Sequence, residues 1–304
     1  MSADTEVEVG GRRLRLSNLD KPLYPDGFTK AQVIDYYARV APVILRHLSG
    51  RPLTLKRYPN GTTAGHFYEK NCPRHRPEFV RTTLVPRRRG SSESIEYCLA
   101  EEVATLVWLA NLAAIELHPL LARVPELEAP TVMVFDLDPG PPAAMAECAE
   151  VAALVRAILD EHGLQAFAKT SGSKGLQLYV PLNGGADYGR TRAFANRAAV
   201  GLAASHPTLV VEKMDKSIRP GRVLIDWSQN HPTKTTVGVY SLRAMESPRV
   251  STPVTWQEVE SVVGTGPAAA TTLSFGPGDV LRRLDESGDL FEPVAELHQE
   301  LPGA

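Results

Sequence analysis

The sequence predicts a mixed α/β fold. Apolar residues recur at three- and four-residue intervals over several stretches, as on one face of a helix. Between them lie short apolar or alternating runs bounded by glycine and proline, which read as strands. No internal repeat or long low-complexity linker interrupts them. The 304 residues, 43% of them hydrophobic, suffice for one large domain or two closely joined ones.

The elements follow in order. Alternating segments over 7–16 flank Gly10-Gly11, a hairpin signal. Thr29 is placed to cap a helix through Leu48. Val33, Ile34, Tyr37, Val40, Ile44 and Leu48 would form its apolar face, Pro42 would kink it, and Gly50 stands beyond its end. Segments 51–58, 66–70, 79–85 and 93–98 read as extended. Residues 100–117 read as a helix, acidic at its start as the helix dipole prefers, stopping before His118-Pro119. Residues 121–130 read as a connection. The second half predicts a strand at 131–138, a helix at 143–161 closed by Gly163, and strands at 165–170 and 176–182 around Ser171–Gly175. A helix at 187–205, strands at 222–227 and 234–242, and helical pieces at 255–263 and 277–284 complete the chain.

Composition excludes little and narrows much. No apolar run approaches the ~18 residues needed to cross a membrane. The N-terminus lacks the basic and apolar regions of a signal peptide. Cys72, Cys98 and Cys148 are few, odd in number and irregularly spaced, so no disulfide framework and a cytoplasmic setting are expected. The net charge of −2 does not announce a nucleic-acid binder, so any such surface must be local. Arg87-Arg88-Arg89 is one candidate, and a solvated loop has the same letters.

Chemistry concentrates at three places. In VMVFDLDPG, Asp136 and Asp138 project from one strand face, ~6.5 Å apart. Two such carboxylates repel, and desolvation raises the cost. A divalent cation removes both penalties, and magnesium or manganese suits carboxylate oxygens. An exposed edge or a salt-bridged pair would give the same pattern. Asp226, ending the apolar run VLID, is a third acid, and three such acids can hold two ions for displacement at phosphorus. Ser171-Gly172-Ser173-Lys174-Gly175 offers hydroxyls, close backbone approach and a point charge to oxyanions, without the spacing of a P-loop. Alone it is equally a tight turn. Arg219, Arg222, Lys234 and Arg243 surround the third acid in sequence, a cationic collar suited to a triphosphate or a set of surface ion pairs.

These motifs, in this order, resemble the polymerase domain of bacterial DNA ligase D, a member of the archaeo-eukaryotic primase superfamily. The matching residues are Phe135–Gly140, Thr170–Leu176, Asp226–Asn230 and Tyr240–Arg243. Upstream come Asp20-Lys21 with Leu23-Tyr24-Pro25, Lys30, Lys56-Arg57 with Pro59-Asn60-Gly61, Phe67–Lys70 and Glu116-Leu117-His118. The resemblance spans roughly residues 10 to 290.

It implies a primase-type catalytic core with mixed central sheets flanked by helices, plus a smaller N-terminal subdomain. Within one primase-polymerase domain (1–304), residues 1–120 would carry DNA-binding elements, 121–250 the catalytic core and 251–304 a helical extension. Asp136, Asp138 and Asp226 would hold two Mn2+ or Mg2+ ions, and His118 would lie near the primer terminus. Lys56, Ser171, Ser173, Lys174, Gln177, Arg219, Gln229 and Arg243 would serve the nucleotide. Lys21 and Lys30 would grip a 5′-phosphate, and Phe67 and Tyr68 would stack on bases near the gap. On pattern alone, Phe67 and Tyr68 read as core aromatics. One departure stands out: the family usually has His where this chain has Gln177, which can donate a hydrogen bond but cannot titrate.

The activity implied is nucleotide addition to a primer 3′-hydroxyl at gapped or broken duplex DNA, with ribonucleotides favoured. Ku and a DNA ligase are the expected partners, in the bacterial cytoplasm at the nucleoid, with no membrane partner. The rivals are gap filling in excision repair, priming, a catalytically weak end-binding scaffold and a metal-dependent nuclease. No Lys-x-Asp-Gly adenylation motif or phosphoesterase segment occurs, so a stand-alone paralogue is expected, with an excised domain as the alternative. His66, Cys72 and His75 raise a zinc question, but three ligands fall short of a structural site's four, and the stretch reads as an ordinary loop.

Overall fold

The computed structural model describes residues 4–87, 92–184, 186–266 and 273–302. Arg88 and Arg89 of the basic run lie outside the described residues. The chain forms two compact units. The first comprises Met1–Pro125, Thr235–Val250 and Gly276–Glu286, and the second Glu126–Lys234, Ser251–Phe275 and Ser287–Ala304. The segment Thr235–Val250, expected within the catalytic core, thus belongs to the first unit.

The first unit begins with an antiparallel hairpin, β1 (Thr5–Val9) and β2 (Arg12–Leu16). Gly10 and Gly11 both take positive φ, 56° and 75°, as a tight two-residue hairpin turn requires. Helix α1 (Lys30–Leu48) starts at a capping box: the Thr29 hydroxyl accepts from the Gln32 amide, and the Gln32 side chain accepts from the Thr29 amide. Its apolar face buries Val33, Tyr37, Val40, Ile44 and Leu48, and Pro42 lies within the helix. The buried Tyr36 and Tyr37 hydroxyls donate to the carbonyls of Tyr240 and Ile115.

Strands β3 (Leu53–Arg57), β4 (Phe67–Glu69), β5 (Thr82–Pro86) and β6 (Ser94–Cys98) lead to helix α2 (Val103–Asn111) and strand β7 (Ala114–Pro119). The first four run β4-β3-β6-β5 in one sheet, and β7 also pairs with β3. The helix expected over 100–117 is therefore half the predicted length. An unbroken apolar run fits either period. The chain turns at Ala113, at φ 56°, and the next residues gain pairing with β3. In that register Lys56 faces Glu116 and Thr54 faces His118.

Two further expectations are corrected. Cys72 and Cys98 form a disulfide, and Cys148 is free and buried. Irregular spacing hid the pair because the fold brings them together: the Cys72 amide donates to the Glu96 carbonyl beside Cys98. The strand expected at 234–242 is reduced to a bridge at Thr235 and a two-residue strand at Leu242–Arg243, which pairs with Arg249–Val250. Tyr240, at φ 62°, breaks the extended run.

The second unit is built on a six-stranded sheet. It contains β8 (Val132–Pro139), helix α3 (Met145–Glu161), β9 (Phe167–Thr170), β10 (Leu176–Pro181), helix α4 (Tyr188–Ser205), β11 (Val210–Val211) and β12 (Val223–Asp226). The order is β11-β12-β8-β10-β9, with Pro253–Val254 at the far edge. β8 is antiparallel to both β10 and β12. Met133, Phe135 and Leu137 pack with Leu176, Leu178 and Ile225 against α3 and α4. Alternation sends Asp136 and Asp138 to the opposite face. Among the described residues, no helix is long and apolar enough to cross a membrane.

Candidate active site

The predicted site residues fall into two clusters, one in each unit. The first crosses the sheet of the second unit. Register places Lys169 beside Gln177, Gln177 beside Asp136, and Asp136 beside Asp226, a polar line over β9, β10, β8 and β12. Lys169 is fully buried and donates to Gln177 Oε1 at 2.5 Å and to Ser251 Oγ at 2.6 Å. Gln177 Nε2 in turn donates to Asp136 Oδ1 at 3.0 Å. Burial pushes the Asp136 pKa up to about 6, with Asp226 and Asp138 adding to the rise against the Gln177 hydrogen bond and Lys169.

Asp226 ends β12 and caps the turn that follows. Its Oδ1 accepts from the Ser228 amide and hydroxyl, and Gln229 Nε2 donates to Oδ2 at 2.7 Å. Lys234 donates to that same Ser228 hydroxyl at 2.5 Å, so a cation stands one hydroxyl behind the acid. Asp138, half exposed, is held by Arg219 at 2.5 Å.

Beside Asp138 opens a cleft of about 340 Å³ lined by Pro139, Gly140, Lys174, Lys216 and Arg219 among others. Gly140 is required there: a Cβ would stand 2.2 Å from the Arg219 carbonyl oxygen. Lys174 is exposed in the β9–β10 loop. Ser171 folds that loop, its hydroxyl accepting from the amides of Ser173 and Gly175. Lys216, absent from the sequence-based set, joins the cleft through the short helical turn Lys216–Ile218.

The donor set suits a hard divalent cation. Asp136 and Asp226 are register partners on neighbouring strands, and burial first, then the neighbouring Asp226 charge, raises the Asp136 pKa against the Gln177 hydrogen bond and Lys169. Asp138 shares that strand face but is engaged by Arg219. Among the described residues, no group of three or more His, Cys, Asp and Glu side chains is gathered closely enough to hold a metal.

The second cluster belongs to the first unit and centres on Glu116, whose side chain is 2% exposed. Its Oε1 receives Tyr58 Oη at 3.0 Å, the Ala244 amide at 3.2 Å and Lys56 Nζ at 3.3 Å. His118 Nε2 lies 2.9 Å from Oε2, and Arg243 Nη1 3.5 Å from it. Burial raises the Glu116 pKa, but the His118 hydrogen bond and the charges of Arg243 and Lys56 outweigh it and hold the carboxyl well below its usual range. Burial also lowers the His118 pKa, against Glu116, so the imidazole is neutral at pH 7. The structure thus joins Lys56, His118 and Arg243 through a carboxylate that the motif match included but gave no role. Its signal was the Glu-x-His alternation, hidden inside an apparent helix. Lys169 was missed as well, although a lysine within the apolar run FAKT is itself unusual.

Around this cluster, Phe67 is 43% and Tyr68 58% exposed, so neither is a core aromatic. Arg57 lies over the Phe67 ring and Lys56 over the Tyr68 ring. Lys21 donates to the Pro59 carbonyl and Asn60, and Lys30 to the Ser17 carbonyl and hydroxyl. Burial, with Lys21 nearby, lowers the Lys30 pKa to about 8.

Carboxylates beside a cationic cleft, on a mixed sheet backed by helices, place the chain in the primase-polymerase class of folds. The chain belongs to the LigD primase-polymerase domain family, whose model matches residues 29–291. It is 41% identical over 300 residues to the multifunctional non-homologous end joining DNA repair protein LigD of Mycobacterium tuberculosis strain H37Rv, covering 94% of this chain and 38% of that protein. The bifunctional non-homologous end joining protein LigD of Bacillus subtilis is 32% identical over 293 residues, 95% of this chain and 45% of that protein. The chain therefore spans less than half of these relatives. Among solved structures, the polymerase domain from Mycobacterium tuberculosis ligase D in complex with DNA matches with a TM-score of 0.86 at 39% identity. That match covers 94% of this chain and 99% of that one.

Proposed function

We propose that this protein adds nucleotides to a primer 3′-hydroxyl at 5′-phosphorylated gaps or broken ends of duplex DNA, directed by the template strand. The facing pair Asp136/Asp226 carries the reading: two carboxylates held together at a strand end, beside a cleft of lysine and arginine, suit nothing so well as cations and a polyphosphate. Bound there, two Mn2+ or Mg2+ ions would neutralise charge on the phosphate being transferred and activate the attacking oxygen. Asp136, Asp138 and Asp226 would hold them. Lys174, Arg219 and Lys216 would bind triphosphate oxygens, with Ser171 and Ser173 shaping the loop and Gln177 and Gln229 orienting the acids. Lys56 and Arg243 would also serve the nucleotide, and His118 would meet the primer terminus.

Lys21 and Lys30 would grip the downstream 5′-phosphate, and exposed Phe67 and Tyr68 would stack on unpaired bases. Ribonucleotide preference, action with Ku and a DNA ligase in end joining, and a cytoplasmic setting at the nucleoid rest on the family. Incubation with a gapped duplex, Mn2+ and labelled triphosphates tests the reading. Templated extension supports it, shortened strands indicate a nuclease, and binding without product indicates a scaffold.

A further inference from the structure

Glu116 sits where it can decide how His118 presents itself. Both lie on β7, two residues apart and on one face, with the Glu116 side chain 2% and the His118 side chain 11% exposed. The charged and titratable groups around the imidazole are Glu116 on its own strand, Lys56 on β3, Tyr58 following β3, Arg243 on the short strand Leu242–Arg243, and Tyr68 on β4, whose ring stands edge-on at 6.2 Å. Glu116 is fully used as an acceptor. Tyr58, the Ala244 amide and Lys56 converge on one oxygen, His118 Nε2 and Arg243 on the other. An ionised carboxylate only accepts hydrogen bonds, and a neutral imidazole carries a single N–H. The proton must then sit on Nε2.

We infer that Glu116 is a positioning residue: it fixes His118 as the Nε2–H tautomer and so leaves Nδ1 as a hydrogen-bond acceptor for the primer 3′-hydroxyl. The inference rests on the polymerase reading for its hydroxyl and, for its tautomer, on the hydrogen-bond geometry of a ring that burial keeps neutral. An imidazole free to exchange its proton between the two nitrogens would present the hydroxyl with a donor for part of the time. The second-strand partners explain why a glutamate is needed. A glutamine at 116 keeps its carbonyl toward Lys56 and the Ala244 amide, which can only be met by an acceptor, and toward Tyr58 beside them. Its NH2 then faces His118 Nε2, which must accept, and the proton moves to Nδ1.

The test is long-range 1H–15N correlation spectroscopy of the histidine-labelled full chain at pH 7.5, with His118 assigned from His118→Gln, alongside primer extension. The expected result is an Nε2–H signal in the wild type and an Nδ1–H signal in Glu116→Gln. Extension by Glu116→Gln should fall about tenfold in kcat, the scale of one hydrogen bond, with gap binding retained. Adding Glu116→Gln to His118→Ala should lower kcat no further, because Glu116 acts on that step through the imidazole; its contacts with Lys56 and Arg243 would show in the KM for triphosphate instead. A wild-type Nδ1–H or doubly protonated ring, an unchanged tautomer in Glu116→Gln, or additive losses would overturn the inference. If Glu116→Gln does not fold, the wild-type spectrum decides: a fixed Nε2–H supports the assignment and a mixture of tautomers removes it. The spectrum needs no nucleotide, so a wild type that binds gaps without extending them would refute the polymerase reading and leave the tautomer result standing.

Discussion

Asp226 stands directly opposite Asp136 in the antiparallel register of β12 and β8. Burial and this neighbour raise the Asp136 pKa to about 6, so the pair holds a charge conflict that a divalent cation resolves. Asp136→Asn or Asp226→Ala should reduce primer extension by about a thousandfold or more, the scale of several kcal/mol of lost charge stabilisation. Gap binding, measured by fluorescence anisotropy, should stay within about threefold, since no lysine or arginine contact to phosphate is removed.

The same pair sets a pH dependence in chelator-treated protein. A carboxyl whose folded pKa is raised binds its proton more tightly when folded. Its contribution therefore grows as pH falls from about 6 toward its ordinary value of 3.8, and is absent well above 6. Denaturant melts across that window should show stability from this group rising with acidity. Asp136→Asn should flatten that component, and an unchanged profile would contradict the assignment.

Arg219 occupies the carboxylate of Asp138 at 2.5 Å while lining the cationic cleft. A charge-assisted hydrogen bond is worth about 1.5–3 kcal/mol, so Arg219→Met should raise the KM for triphosphate by roughly ten- to a hundredfold. Asp138→Ala should abolish extension outright. Steady-state kinetics separate the two: equal losses from both substitutions would mean that Arg219 acts only by holding Asp138.

The aromatic pair on β4 gives a prediction free of folding effects. With Phe67 43% and Tyr68 58% exposed, truncation to alanine should leave the melting temperature within about a degree. Affinity for a gapped duplex should fall by about 1–3 kcal/mol per stacked base. Anisotropy titrations at fixed salt measure this, and unchanged affinity would assign the exposed rings another task.

Much of this architecture was readable in the letters, for particular reasons. Asp136, Asp138 and Asp226 end apolar strands, so their alternation against Phe135, Leu137 and Ile225 predicted both strand and face. Thr29 announced the start of α1. The helix over 100–117 failed because an apolar run buried on every side has no period to read, and pairing with β3 decided its second half. That error hid Glu116. The disulfide and the first unit's claim on Thr235–Val250 depend on contacts distant along the chain, which local pattern cannot reveal. Lys169 was visible as an oddity, but its meaning needed the register that sets it beside Gln177.

That register explains what Gln177 does between its two neighbours. Lys169 is buried and can only donate; Asp136, when ionised, can only accept. The group between them must accept on one side and donate on the other, and Gln177 does so, Oε1 toward Lys169 and Nε2 toward Asp136. A neutral imidazole has the same two faces. Gln177→His should therefore keep extension within about tenfold and stability within about 1 kcal/mol. Gln177→Leu has neither face. It deprives a buried ammonium of one acceptor and Asp136 of its donor, at a cost of about 3 kcal/mol in denaturant melts. Losing that donor also removes a hydrogen bond that lowers the Asp136 pKa, so the carboxyl should titrate above its present value of about 6. The acidic limb of the extension profile should move to higher pH in Gln177→Leu and stay in place in Gln177→His. A leucine variant with wild-type stability and an unmoved acidic limb would show that the Lys169–Gln177–Asp136 line is packing alone.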